Sequence, residues 1–457
     1  MMVATIIFQE NYCCHCCTIA TDLRHALAVI ASPCMIPAVS DWNFMTVVIL
    51  VGLFALWKLE LAATLLNLRA FPTRVPEELD GVMTPENLDR AHDYHRVNAR
   101  FDIIRDSFSL AILLGFWAFG GFQWLDGLAR SLAPGTIMAG LVFLTLLMLG
   151  QTLVSLPFAW IETFKIEEKF GFNRSTAATF WMDRIKGLLL AAVLGLPLVA
   201  GILWIFTRVD YAWLWAWLLL TGYQLVVTYI APTWIMPLFN KFTPMPEGPL
   251  KDDIEKLGRE CGFPLAEVYV MDGSKRSTKA NAFFTGFGKN KKIALFDTLI
   301  EKSSRPELLG ILAHEIGHFR CGHIRQRLAV GIVQMGVIFY LLGLAVAPDG
   351  AFARLLFDAF GVREISPHVG LVLFSILLEP VGKALGALAN AWSRRHEFEA
   401  DAYAAKATGD PAPLADALRK LNADHLSHPA PSQLRVILDY SHPPLLRRLK
   451  ALDPARN

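Results

Sequence analysis

LVFLTLLMLGQTLVSLPFAWI, residues 141–161, contains no charged side chain. A helix needs about 20 mostly apolar residues to cross a hydrocarbon core about 30 Å thick, so this stretch reads as a membrane span. Seven stretches of this kind occur, near 46–66, 107–125, 136–161, 187–206, 211–231, 328–347 and 368–390. The competing reading is a large soluble protein with seven buried helices, and so many long apolar runs argue against it. Composition agrees, with 54% hydrophobic and 18% charged residues over a length of 457. Those proportions exclude a disordered chain, collagen and a coiled coil. A net charge of +2 gives no electrostatic case for a nucleic-acid partner. The expected fold is a multi-pass α-helical membrane protein whose first partner is the lipid bilayer.

Basic residues orient the spans. Residues 67–106 hold six Lys/Arg and residues 162–186 hold five, whereas the alternating connections carry only Arg130, Arg208, and Arg354 with Arg363. By the positive-inside rule the basic connections face the cytoplasm. Segment 232–327 and the tail after 390 fall on that side too. Several spans carry polar groups: Lys58 and Glu60 in the first, Gln151 in the third, Glu379 and Lys383 in the seventh. Charge at membrane depth either pairs between helices or faces a watery cavity, and the sequence leaves both readings open.

Residues 1–44 differ from the rest. Four of the seven cysteines crowd into Cys13, Cys14, Cys16 and Cys17, around His15. An odd total argues against a disulfide framework. Four cysteines within five residues cannot all reach one tetrahedral ion without strain. The stretch reads better as an extension foreign to the fold than as a metal site or acylation cluster, with Met45 as a natural start. The expected organisation is then 1–44 extension, 45–231 five spans with loops, 232–327 a polar segment, 328–390 two spans, and 391–457 a helical tail.

The polar segment carries the chemistry. An amphipathic helix ends near Gly262, and strands are expected at Glu267–Met271, Asn281–Phe287 and Lys292–Phe296. A helix starts near Ser304, with Pro306 in its first turn, and runs to residue 323. Within it stands His314-Glu315-Ile316-Gly317-His318. Residues four apart share a helix face, so both imidazoles can bind one ion, with Glu315 beside them as general base. Zinc in such a site lowers the pKa of water to about 7 and polarises a scissile carbonyl. The bland alternative is two surface histidines beside a chance Glu; the apolar face of Leu308, Leu309, Ile311 and Leu312 anchors the helix and favours the site.

Two histidines leave a protein ligand missing. Cys321 shares the face of His314 but lies about 10 Å along the axis, too far to join one ion. His323 is off the face and is expected to cap the helix end. In SRRHEFEADAYAAKA, 393–407, Glu397 and Asp401 stand one turn apart. Glu397 can ligate while Asp401 accepts a ring N–H from a ligand histidine. Glu399 points away by about 200° and His396 by about 100°. An ordinary salt-bridged helix is the alternative there. Asn281-Ala282-Phe283 can be an edge strand that pairs with an extended substrate, or simply one arm of a hairpin. His442 and the arginines Arg447 and Arg448 can stabilise an oxyanion, or be solvated tail charges.

Six strings, taken together, resemble the type I CAAX prenyl endopeptidase family of integral-membrane zinc metalloproteases. They are IEEKFGFNRST at 166–176, PLFNKFTPMPEG at 237–248, SKRSTKANAFFTGFGKNKKIALFDTLIE at 274–301, HEIGH at 314–318, EFEADAYA at 397–404 and YSHPPLLRRL at 440–449. The resemblance implies one Zn2+ per chain held by His314, His318 and Glu397, with Glu315 as catalytic base. It implies that Asn281, with Ala282 and Phe283, holds substrate, and that His442 and Arg448 contact substrate or transition state. It also implies seven helices enclosing a water-filled chamber under a gluzincin-like protease domain that faces the cytoplasm. Family members cleave prenylated, Cys-containing C-termini, so prenylated or membrane-tethered proteins are the expected partners. The Ala/Leu/Arg-rich composition leans towards a bacterial inner membrane, with the endoplasmic reticulum as the eukaryotic counterpart; the chain ends in DPARN, without a lysine-based retrieval signal. Two other readings stay open: a membrane quality-control protease with no prenyl requirement, and a seven-helix transporter or receptor with a structural zinc.

Overall fold

The computed structural model describes residues 43–285 and 291–453; the cysteine cluster at 13–17 lies outside them. Helix α1 (Phe44–Arg69) starts at Asn43, whose side chain accepts the Thr46 N–H, and forms the first candidate span. Helices α2 (Pro85–Ala118) and α3 (Gly121–Leu132) follow, bent by 67° from each other. Gly120, at φ +69°, supplies the left-handed residue at the corner. Helices α4 (Thr136–Ile161), α5 (Ala177–Arg208) and α6 (Ala212–Ile230) complete the first half. After the soluble segment come α10 (His323–Ala345), the short α11 (Ala351–Ala359) and α12 (Pro367–Thr408). Six helices are long and apolar enough to cross a membrane, and the bent pair α2–α3 makes a seventh if it counts as one span.

The segment between α6 and α10 folds as a small α/β unit. Strands β1 (Phe242–Pro244), β2 (Leu265–Met271), β3 (Ala282–Thr285) and β4 (Lys291–Phe296) form one sheet in the order β1-β2-β4-β3. Strands β2 and β4 run parallel, with Val268 opposite Ile293, while both outer pairs are antiparallel. The expected strands appear, β3 beginning at Ala282 with residues 286 and 287 outside the described ones, and β1 and the parallel pairing are additions. Helices α7 (Pro249–Glu260), α8 (Asp297–Lys302) and α9 (Arg305–Arg320) share the core of this unit with the sheet, joined by α13 (Ala412–Asp424) and α15 (Leu445–Leu452) from the tail, while α14 (Gln433–Asp439) packs against α12 and α1. Val268, Ile293, Leu295, Leu308, Leu312 and Ile316 are among the buried side chains of this core.

A second core lies at the far end of the spans, where Trp117, Phe122, Phe143, Phe357, Phe360 and Leu373 pack together. There His368, fully buried, meets Asp126 at 2.7 Å, and Arg130 joins Asp126 at 2.8 Å. Between the two cores the helices are thinly packed. No side chain is fully buried along 144–161 of α4, 181–201 of α5, 324–338 of α10 or 375–392 of α12. A tight bundle would bury a stripe along the whole length of each helix. These middle stretches form a loosely packed wall of helices between the two cores.

The two readings of the intramembrane charges divide accordingly. Glu60, Lys383, Arg435 and Asp439 pair helix to helix: Lys383 bonds Glu60 and lies 2.6 Å from Asp439, while Arg435 lies 3.0 Å from Glu60 and 3.1 Å from Asp439. Gln151 and Glu379 remain exposed on the wall. The basic connections dock onto the α/β unit: Arg276 reaches Asp183 at 2.8 and 3.0 Å, Lys279 reaches Glu167 at 3.0 Å, and Asn173 bridges to Ser277. Connections 67–106 and 162–186 and the α/β unit therefore lie on one side of the wall.

Candidate metal centre and active site

Helix α9 is fixed before any ligand is considered. Ser304 and Glu307 form a reciprocal capping box, with the Ser304 N–H donating to Glu307 at 2.7 Å, and Lys420 pairs with the same carboxylate at 2.6 Å. Two glycines let neighbours approach its backbone. A Cβ on Gly310 would stand 2.9 Å from the Leu414 amide nitrogen of α13, and one on Gly317 would stand 3.0 Å from the Ala400 carbonyl oxygen of α12. Gly317 lies between the two motif histidines, so its missing side chain sets how close α12 comes to them.

That approach brings three donor groups to one point. His314 Nε2 and His318 Nε2 are 3.2 Å apart; Glu397 places Oε2 3.4 Å from the first and Oε1 3.2 Å from the second. A tetrahedral ion with bonds of about 2.0–2.1 Å keeps its donors about 3.3 Å apart, so the three fit one zinc. Glu397 is 2% exposed and its Oε2 has no hydrogen-bond partner, a costly state that a bound cation would relieve. Burial pushes this carboxyl up, but the close approach of His314 and His318 outweighs it and holds it well below the usual carboxylate range.

Behind the donors stands a supporting layer. His314 Nδ1 meets Asp401 Oδ1 at 2.8 Å, and Arg448 grips Asp401 with Nε at 2.8 Å and Nη2 at 2.6 Å. Burial lowers the His314 imidazole, but Asp401 and Glu397 overcome it and raise its pKa to about 9. Arg448 is buried, its strongest bonds going to Asp401, while Nη1 lies 3.8 Å from Glu397. His442 stands on the open side, 58% exposed, with Nδ1 3.6 Å from Glu397 Oε2. Glu315 is half-buried; burial raises its carboxyl, the charge of Glu397 adds to this, and His314, His318 and Arg448 oppose it.

Other expected residues fall elsewhere. Asn281 is exposed at the start of β3, its Oδ1 accepting the Ala282 N–H, and Ala282 and Phe283 pair with Leu295 and Ala294 of β4. They line a sheet edge outside the donor cluster. Cys321 is the C-cap residue of α9 and a free thiol. The expectation that the helix runs to residue 323, with His323 as its cap, needs correction. Helix α9 ends at Arg320, Gly322 turns the chain at φ +74°, and His323 opens α10 with 1% exposure. Its partners are His318 and Glu399, a link between separate helices that spacing along the chain does not reveal.

A helix-borne metal site of this kind, on an α/β unit beside membrane spans, defines a membrane-embedded metallopeptidase. Residues 65–241 match the family description CAAX prenyl protease N-terminal, five membrane helices, and residues 244–456 match Peptidase family M48. Relatives include a CAAX prenyl protease 1 homolog of Mus musculus, 35% identical over 88% of this chain and 93% of its own length, and CAAX prenyl protease 1 of Saccharomyces cerevisiae, 36% identical over 83% and 89%. The crystal structure of S. mikatae Ste24p superposes with a TM-score of 0.83 at 35% identity, covering 90% of this chain and 99% of the other. The chain belongs to peptidase family M48, with the membrane helices of the CAAX prenyl protease type. It is a multi-pass membrane metalloendopeptidase, which removes the reading of a transporter or receptor with a structural ion.

Proposed function

We propose that this chain is a zinc endopeptidase that hydrolyses peptide bonds near the prenylated C-terminus of CaaX-type proteins. The convergence of His314, His318 and Glu397 on one tetrahedral face, with Glu315 beside it, carries the reading. The names of the relatives supply the substrate class. When bound, one zinc per chain would supply Lewis acidity to the scissile carbonyl and the attacking water. Glu315 takes a proton from that water and passes it to the leaving amine, a task suited to a carboxyl raised by burial. His442, on the open side, donates a hydrogen bond to the developing oxyanion. Arg448 holds Asp401 and directs its remaining nitrogen towards the reacting centre. Among the described residues β3, with Asn281, Ala282 and Phe283, is an edge strand, suited to pair with an extended substrate.

The basic connections share a side with the protease unit, so the active site faces the cytoplasm, whether of a bacterial inner membrane or of the endoplasmic reticulum. The organisation of the chain is then an extension foreign to the fold ending before Asn43, a five-span half to residue 231, the metalloprotease segment to 327, two spans of which the second runs on within α12 past residue 390 to carry Glu397, and a helical tail. The deciding experiment is cleavage of a farnesylated C-terminal peptide by detergent-purified protein, beside its unprenylated twin and the variant Glu315→Gln. Cleavage of the prenylated peptide alone, lost in the variant while zinc stays bound, is expected. Equal cleavage of both peptides would replace this reading with general membrane-protein quality control.

A further inference from the structure

The two ligand histidines are supported in different ways. His314 hands its Nδ1 proton directly to Asp401. His318 instead has Nδ1 3.0 Å from His323 Nδ1, and His323 Nε2 lies 3.0 Å from Glu399 Oε2. A histidine that offers Nε2 to a cation keeps its proton on Nδ1. His318 must then donate to His323 Nδ1, which fixes the His323 proton on Nε2 and directs it to Glu399. His323 is 1% exposed, and its face stacks on His396 at 3.9 Å between centroids and 8° between planes. Trp392 backs His396 at 4.8 Å, and Arg395 holds Glu399 at 3.1 Å. Every edge of the His323 ring is thus specified.

We infer that His323 and Glu399 are positioning residues that orient His318 for the ion, through a histidine-to-histidine-to-carboxylate chain. This rests on the zinc reading of His314, His318 and Glu397. The competing use of the cluster is a second metal held by His323, His396 and Glu399, whose donor atoms also lie close together. The stacking opposes it: an ion lies in the plane of each imidazole that binds it, and two parallel rings 3.9 Å apart share no such plane.

The test is zinc competition against a chelator, with the absorption spectrum of the Co2+-loaded protein, on the full chain in detergent. His323→Phe keeps a ring against His396 but leaves the His318 N–H without an acceptor. It should weaken zinc about 10–100-fold and shift the Co2+ bands, the size usual for lost support of a ligand. Glu399→Ala, at a carboxylate 42% exposed and thus easily tolerated, should move both readouts the same way. Glu399→Gln, which retains an acceptor, should restore them. Wild-type affinity and spectrum in both His323→Phe and Glu399→Ala would overturn the inference. Two zinc ions in the wild type, falling to one in His323→Phe, would overturn it in favour of the second metal. A wild type that binds no zinc would instead overturn the zinc reading beneath it.

Discussion

Asp401 does two jobs with two oxygens: Oδ1 faces His314 Nδ1 at 2.8 Å, and both oxygens are held by Arg448. The arginine keeps the carboxylate charged and in place, and the carboxylate fixes which imidazole nitrogen is free for the ion. In the metal-free chain the same contact favours a protonated His314, raised to about 9. That pair adds stability fully present below the unfolded pKa of about 6.5 and lost as pH rises through about 9. Zinc needs the lone pair, so uptake below pH 9 must expel this proton. Zinc affinity should therefore climb about tenfold per pH unit between pH 7 and 8.5 and flatten above 9. Asp401→Asn should weaken zinc about 10–100-fold at pH 9.5, and its plateau should begin at lower pH. Competition titrations across this range decide it; a flat wild-type affinity would show that His314 is already neutral.

Helix packing decides whether two separate ligand sets become one site. Histidines four apart on α9, and Glu397 four before Asp401 on α12, each follow from the 3.6-residue turn, so both sets were readable along the chain. The apolar spans were readable for the same reason that they insert. The bend at Gly120 was not, because hydropathy averages over a corner. Nor was the continuity of α12, which carries the seventh span and Glu397 on one 42-residue helix across the expected division at 390. The His318–His323–Glu399 chain also escaped, since it depends on how α10 and α12 meet. Where α9 meets α12, Gly317 has no space for a side chain: Ala400 offers backbone atoms at 3.0 and 3.1 Å, and Tyr403 Cβ lies at 3.2 Å. Gly317→Ala should push α12 outward by a few tenths of an ångström, loosening Glu397 from the histidines. Zinc affinity should drop more than tenfold while helical content, read by circular dichroism, stays. Gly310→Ala, against α13, should lower thermal stability with little change in zinc affinity. Equal effects of the two variants on zinc would refute this division.

The whole molecule is two packed ends joined by a thin wall, with the metal site at one end. Helix α12 links them, and its polar positions Ser375, Glu379, Lys383 and Asn390, with the small Gly386 between the last two, recur every three or four residues on a line that leads to Glu397. Asn390 and Arg394 continue that line by binding carbonyls of Leu438, Val436 and Tyr440, which carries the chain on to His442. The opposite face holds Val381 and Leu388, 50% and 69% exposed, as suits contact with lipid tails. A water-filled interior along the polar line, which the family resemblance implies, predicts a pattern of chemical access. In a background with native cysteines replaced, Ser375→Cys, Glu379→Cys and Gly386→Cys should react with a small, charged, membrane-impermeant maleimide. Val381→Cys and Leu388→Cys, about 200° around the helix from Glu379 and Gly386, should stay protected until detergent strips the lipid. A hydrophobic prenyl-peptide analogue should slow the first group and leave the second unchanged. Protection of both groups alike would mean that the helices close on one another in the membrane, and the substrate would then have to reach His314 and His318 from outside the wall.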